Sequence, residues 1–170
     1  ILVAMGAIAG ERDRGTAAMI LCKPVSRAAF VASKFLSYGL LLAGSLALAA
    51  LACYYYVAIL WEPFDLTAFA ATNALLGLYL LVVLGLTLFA SALFKNRLAA
   101  AGVGVGAFIA LSIAGAMPKV GGYMPGVLLT WGRGTTAGTG ESAWAALFVN
   151  LGIVLACSVL AWLVFKNREM

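Results

Sequence analysis

The chain is 170 residues long, with 65% hydrophobic and 10% charged residues and a formal net charge of +5. A soluble domain is about 45–50% apolar and about 25% charged, and a chain of this length has no interior large enough for so much apolar surface. The composition therefore excludes a soluble globular domain, the positive charge is no argument for a nucleic-acid partner, and the absence of histidine removes the commonest general base and metal ligand.

The chain opens inside an apolar run. Residues 1–10 read as the last half of a membrane-spanning helix, and Ile1 as an internal point of a longer protein with at least one further span ahead of it. Charge then concentrates: Glu11 to Lys34 holds seven of the seventeen charged residues. An Arg, Lys or Asp costs roughly 2.5–3.5 kcal/mol at a membrane-helix centre on insertion scales, so this segment is placed in water between two spans. The mixed signs of Glu11-Arg12-Asp13-Arg14 suit a solvated helix end, and Gly15 permits a break there. Thr16 is a candidate N-cap for a short helix over 17–22, which Pro24 stops because it lacks an N–H and holds Lys23 extended. Ser26 is a candidate N-cap for a second helix that runs through Arg27, Phe30 and Lys34 into the next span. On residue chemistry alone, an interfacial loop whose bases only hold the chain's orientation also accounts for this pattern.

Charge-free runs set the spans, because about 20 helical residues at 1.5 Å rise cross a hydrocarbon core of about 30 Å. Spans are expected over 35–60, 70–94, 98–117 and 143–165, with residues 1–10 a partial fifth. Tyr54-Tyr55-Tyr56, Trp61 and Trp144 read as an aromatic belt on one side, where the acidic turn Glu62-Pro63-Phe64-Asp65 joins the first two complete spans. A longer glycine-rich segment over 118–142 lies on the same side. Within it, Val127 to Trp131 is too short to span and is expected as an interfacial or re-entrant piece. Phe94-Lys95-Asn96-Arg97 recurs as Phe165-Lys166-Asn167-Arg168, each time closing an apolar run. Convergent anchoring by an aromatic and two snorkelling bases explains this repeat better than duplication does.

Alternating the spans puts nine basic residues (Arg12, Arg14, Lys23, Arg27, Lys34, Lys95, Arg97, Lys166 and Arg168) on one side, and Lys119 and Arg133 on the other. The positive-inside rule assigns the first side to the cytoplasm. The expected fold is all-α: a polytopic transmembrane helix bundle, one domain over 1–170, multi-pass in the cell inner membrane with its C-terminus cytoplasmic.

No Asp, Glu, Lys or Arg falls within a span, which argues against an ion-coupled carrier. Asn73, Thr87, Ser91, Ser112, Asn150 and Ser158 are expected to hydrogen-bond between helices rather than to ligate a substrate. Gly102 and Gly106 form a GxxxG pair, a close-packing signal either within the subunit or between subunits. There is no Ser-His pair and no HExxH, and Cys22, Cys53 and Cys157 have no metal-site spacing, so no catalytic, metal or cofactor site is expected.

The charged segment carries a resemblance. Glu11-Arg12-Asp13-Arg14-Gly15-Thr16, then Lys23-Pro24-Val25-Ser26-Arg27, then Lys34-Phe35-Leu36 resembles the first cytoplasmic loop of type-2 ABC transporter permeases, departing at Ala17-Ala18, where the family often has Leu-Glu. Tyr123-Met124-Pro125 resembles the family's Tyr-x-Pro segment in the outer loop. The resemblance implies a six-helix permease that pairs with a second permease subunit and exports or flips a substrate across the lipid. It implies that the loop over 11–34 docks on a separate ABC ATP-binding subunit, with Glu11, Arg12, Gly15, Thr16, Pro24, Ser26 and Arg27 as contacts. ATP and Mg would belong to that partner, and this chain would be no enzyme. A membrane anchor or assembly factor using the same loop is the alternative.

Overall fold

The computed structural model describes residue 4 and residues 27–60, 65–94, 96–117, 119–139 and 142–167. These form five α-helices and one 3-10 turn: α1 (Arg27–Leu60), α2 (Leu66–Leu93), α3 (Arg97–Gly115), the turn Gly121–Tyr123, α4 (Pro125–Thr136) and α5 (Trp144–Asn167). The all-α expectation holds, and among the described residues four helices are long and apolar enough to cross a membrane. Residues 1–10, the expected partial span, lie outside the described residues apart from Ala4.

Helix α1 starts at Arg27, so the expected run through Phe30 and Lys34 into the span is one continuous helix. Its 34 residues reach about 51 Å, well beyond a hydrocarbon core of about 30 Å. The start of α2 is fixed by Asp65, whose carboxylate accepts from the Thr67 amide at 2.9 Å and the Thr67 hydroxyl at 2.7 Å. Those two bonds hold the Asp65 carboxyl below the usual carboxylate range. Phe94 ends α2 in extended geometry, and the Asn96 side chain then caps α3 by accepting from the Leu98 amide at 2.9 Å. Asn167, by contrast, is the last residue inside α5. Asn96 and Asn167 of the two Phe-Lys-Asn-Arg copies thus differ in place, one before a helix and one at the end of a helix.

The segment between α3 and α5 folds back on the bundle. Gly121 is buried against the end of α3, so close that a Cβ there would collide with the Gly115 carbonyl oxygen. Pro125 then opens α4, where its missing N–H is harmless. Twelve residues give α4 about 18 Å, too short to cross a membrane. It lies along the first half of α2, with Leu128 fully buried between Leu75 of α2 and Ala146 of α5.

Helix α2 is the spine of this arrangement and touches α1, α3, α4 and α5. Three packing clusters mark its length. Leu75 with Leu128 and Ala146 sits near its start, Leu84 and Leu88 with Ala4 farther along, and Ala92 with Phe30, Val31 and Ala161 at its end. Small residues bring the helices close. A Cβ at Gly85 would stand 3.4 Å from the Cys157 Cβ of α5, and one at Gly132 of α4 would stand 3.1 Å from Thr72 Cγ2. The GxxxG pair behaves differently: Gly102 and Gly106 face outward, and no described residue lies within 4 Å of a Cβ at either.

A side chain at position 132 must therefore push α4 off α2. Gly132→Val is expected to destabilise the chain by about 1–3 kcal/mol, the usual cost of overpacking, and to lower its thermal-unfolding midpoint in nanodiscs. Gly152→Val, on a face of α5 with open space, is expected to change stability by no more than about 0.5 kcal/mol. Equal midpoints for the two variants would show that α4 does not rest on Thr72.

Candidate functional site

Of the residues proposed from the sequence to meet a partner, Glu11, Arg12, Gly15, Thr16, Pro24 and Ser26 lie outside the described residues. Arg27 is placed, as the first residue of α1. What the structure defines is the junction through which the charged segment enters the bundle.

One turn after Arg27, Phe30 and Val31 are buried, 4% and 5% exposed. They pack against Ala92 in the last turn of α2 and Ala161 near the end of α5, with Phe89 at the edge. Both alanines are essentially inaccessible, so a bulky pair from α1 sits in a socket built from minimal side chains. Lys34 lies one turn farther on, its Nζ 5.6 Å from the centre of the Phe30 ring. Phe30, Val31, Ala92 and Ala161 all fall within helices apolar enough to span, so close packing on small side chains is what holds this junction. The three basic-ended helices α1, α2 and α5 are joined at this one point.

Polar contacts organise the other end of the bundle. The Thr72 hydroxyl reaches the Gly132 carbonyl oxygen at 2.7 Å and the Ala68 carbonyl oxygen at 2.9 Å, and the Thr135 hydroxyl lies 3.2 Å from Thr72 Oγ1. Two hydroxyl protons are thus shared around one carbonyl of α4. Asn150 of α5 is fully buried. Its Nδ2 donates to the Ala146 carbonyl at 2.7 Å and the Tyr123 carbonyl at 3.2 Å, while its Oδ1 is buried without a partner among the described residues. Trp131 and Trp144 meet edge to face, 5.4 Å between ring centres, where α4 approaches the start of α5.

The expectation that intramembrane polar residues join helices needs correction. Asn73, Thr87, Ser112 and Ser158 each donate to the carbonyl four residues back in their own helix. With no water to compete, the nearest acceptor is the i−4 carbonyl, and a short side chain reaches it without help from a neighbour. Asn150 does bond across elements. So does Thr72, which no sequence pattern singles out from the other threonines. Its signal is only visible in space, as the residue facing Gly132.

Apolar hollows flank the spine. A groove of about 620 Å³ runs between α1 and α2, and a cavity of about 340 Å³ lies between α2, α3 and α4. No Asp, Glu, Lys or Arg among the described residues lines either, so neither holds a fixed charge.

Against known proteins, residues 1–170 match the family model described as ABC-2 family transporter protein. The chain is also similar to the uncharacterized transmembrane protein YxlG of Bacillus subtilis (strain 168), 34% identical over 114 residues, which is 67% of this chain and 44% of that protein. The chain thus spans less than half the length of the curated relative it matches.

The unmatched amide oxygen makes Asn150 testable. Asn150→Leu removes that oxygen together with the bond to Tyr123, and the two changes offset, so stability is expected to stay within about 1 kcal/mol of the parent. Asn150→Asp adds a charge with no partner and is expected to cost about 3 kcal/mol or more. Thermal unfolding of the purified variants in nanodiscs separates these, and a large loss with Leu would mean that the Tyr123 bond dominates.

Proposed function

The chain belongs to the ABC-2 transporter family, and from that premise we propose that it is the permease part of an ATP-driven transporter that exports or flips its substrate. A separate ATP-binding subunit docks on the charged segment over 11–34 and supplies both ATP and Mg. Glu11, Arg12, Gly15, Thr16, Pro24, Ser26 and Arg27 form the contact. The basic ends of α1, α2 and α5 and the C-terminus face the cytoplasm of the cell, in keeping with the excess of Lys and Arg on that side. Gly102 and Gly106, which meet nothing within the described chain, face a second permease subunit.

The observation that supports this reading best is the socket. The charged segment leads into α1, whose first turn is fixed to α2 and α5 by Phe30 and Val31. A displacement of the segment is then felt by three spans at once, through a contiguous packed path of the kind that carries coupling free energy.

Two experiments address it. Arg12→Glu combined with Arg27→Glu reverses charge at the proposed contact, and co-purification with the ATP-binding subunit is expected to fall at least tenfold while membrane insertion is unchanged. Undiminished co-purification would remove the docking assignment. Ala92→Leu crowds the socket without touching the segment. The ATP-binding subunit is expected still to bind, but hydrolysis by the reconstituted complex should lose its dependence on the permease. Parent-like hydrolysis in Ala92→Leu would show that the socket does not transmit.

A further inference from the structure

The cavity between α2, α3 and the start of α4 belongs to neither the charged segment nor the socket. Its volume of about 340 Å³ lies within the range of small-molecule sites. Glycine makes the room: Gly115, Gly121 and Gly126 line it and contribute no side chain. Tyr79 and Phe108 form an aromatic wall, edge to face with ring centres 6.4 Å apart.

Its polar groups are few and unequal. The Ser112 hydroxyl donates to the Phe108 carbonyl at 2.9 Å and the Thr130 hydroxyl to the Val127 carbonyl at 2.9 Å, so both protons are engaged within their own helices. The Tyr79 hydroxyl is different: no described residue hydrogen-bonds to it. Tyr79 stands halfway along the 28-residue α2. The cavity therefore has a largely hydrocarbon wall, no charge, and in Tyr79 a side-chain hydroxyl without a described partner.

We propose that this cavity is a binding site for a neutral, predominantly hydrocarbon molecule with one hydrogen-bond acceptor, which receives the Tyr79 hydroxyl. A bare acyl chain of a membrane lipid fits the wall but has nothing to offer that donor. The site is a property of this chain alone and needs no ATP-binding subunit, so it can fail while the permease reading stands, and the reverse.

Benzophenone is a suitable probe, being a neutral diaryl ketone with a single acceptor that inserts into nearby C–H bonds on irradiation. The full chain in phosphatidylcholine nanodiscs is irradiated over a concentration series and the labelled peptides are mapped by mass spectrometry. Saturable labelling is expected within residues 79–86, 108–115 and 124–130. Tyr79→Phe is expected to raise the half-saturating concentration about threefold to tenfold, the value of one net hydrogen bond. Val83→Trp, which fills the cavity, is expected to abolish labelling there, and the exposed α1 surface at Leu48 and Leu51 is expected to label alike in every variant. Labelling that does not saturate and matches that of Leu48 and Leu51 would overturn the site. Saturable labelling indifferent to Tyr79→Phe would mean that a hydrocarbon tail suffices, and would overturn the proposed ligand class.

Discussion

Close approach to α2 is the constraint on which the rest of the bundle depends. In lipid the helices gain nothing from hiding apolar surface, because the hydrocarbon tails are as apolar as leucine. What remains is contact density, and dispersion falls off within an ångström of separation. Helix α2 meets this demand by presenting or meeting small residues at successive levels: Thr72 against Gly132, Gly77 with Leu46 Cδ2 3.3 Å from a Cβ position, Gly85 against Cys157, and Ala92 under Phe30. Enlarging Gly132 or Gly85 presses on the backbone of the facing helix, whereas at Gly77 the Leu46 side chain can give.

The two ends of that spine are built from different chemistry. At the basic end, Phe30 and Val31 are held by close packing on Ala92 and Ala161. At the other end, hydroxyls and one buried amide tie α4 and the 3-10 turn to α2 and α5. About 30 Å of unbroken helix, from Thr72 to Ala92, separates the two sets of contacts. In the permease reading this contrast matters. A packed socket floored by alanines would pass on movement with little slack, whereas a few hydrogen bonds in a dry site are discrete and either made or unmade.

Much of this was legible before any coordinates. Charge-free runs located the four long helices, since no other signal in lipid is as costly as charge. Pro125-Gly126 and the shortness of Val127 to Trp131 marked a non-spanning piece, and it is the helix α4. The continuity of α1 from Arg27 was legible from Ser26 as a candidate N-cap after the Pro24 stop. Packing partners were not legible, for a physical reason. Helices that are apolar all round carry no stripe to say which face turns inward. Ala92 and Ala161 read like any other alanines, and Thr72 like any threonine, until the facing residue is known. The charged segment, which carried the family resemblance, lies outside the described residues except for Arg27 and the turns that follow it.

The outward-facing glycines show where size, rather than polarity, holds the remaining information. A glycine inside a helix costs roughly 0.5–1 kcal/mol relative to alanine. Gly77, Gly85 and Gly132 return that cost as close contacts within the chain. Gly102 and Gly106 return nothing among the described residues, although Gly104 between them is buried. Two unfavourable residues one turn apart on a single outward face make sense if that face is itself a contact surface. A second copy bringing a backbone against α3 would place the subunit boundary on the helix that also walls the Tyr79 cavity, so that pairing of permeases and occupancy of the cavity would act on the same element.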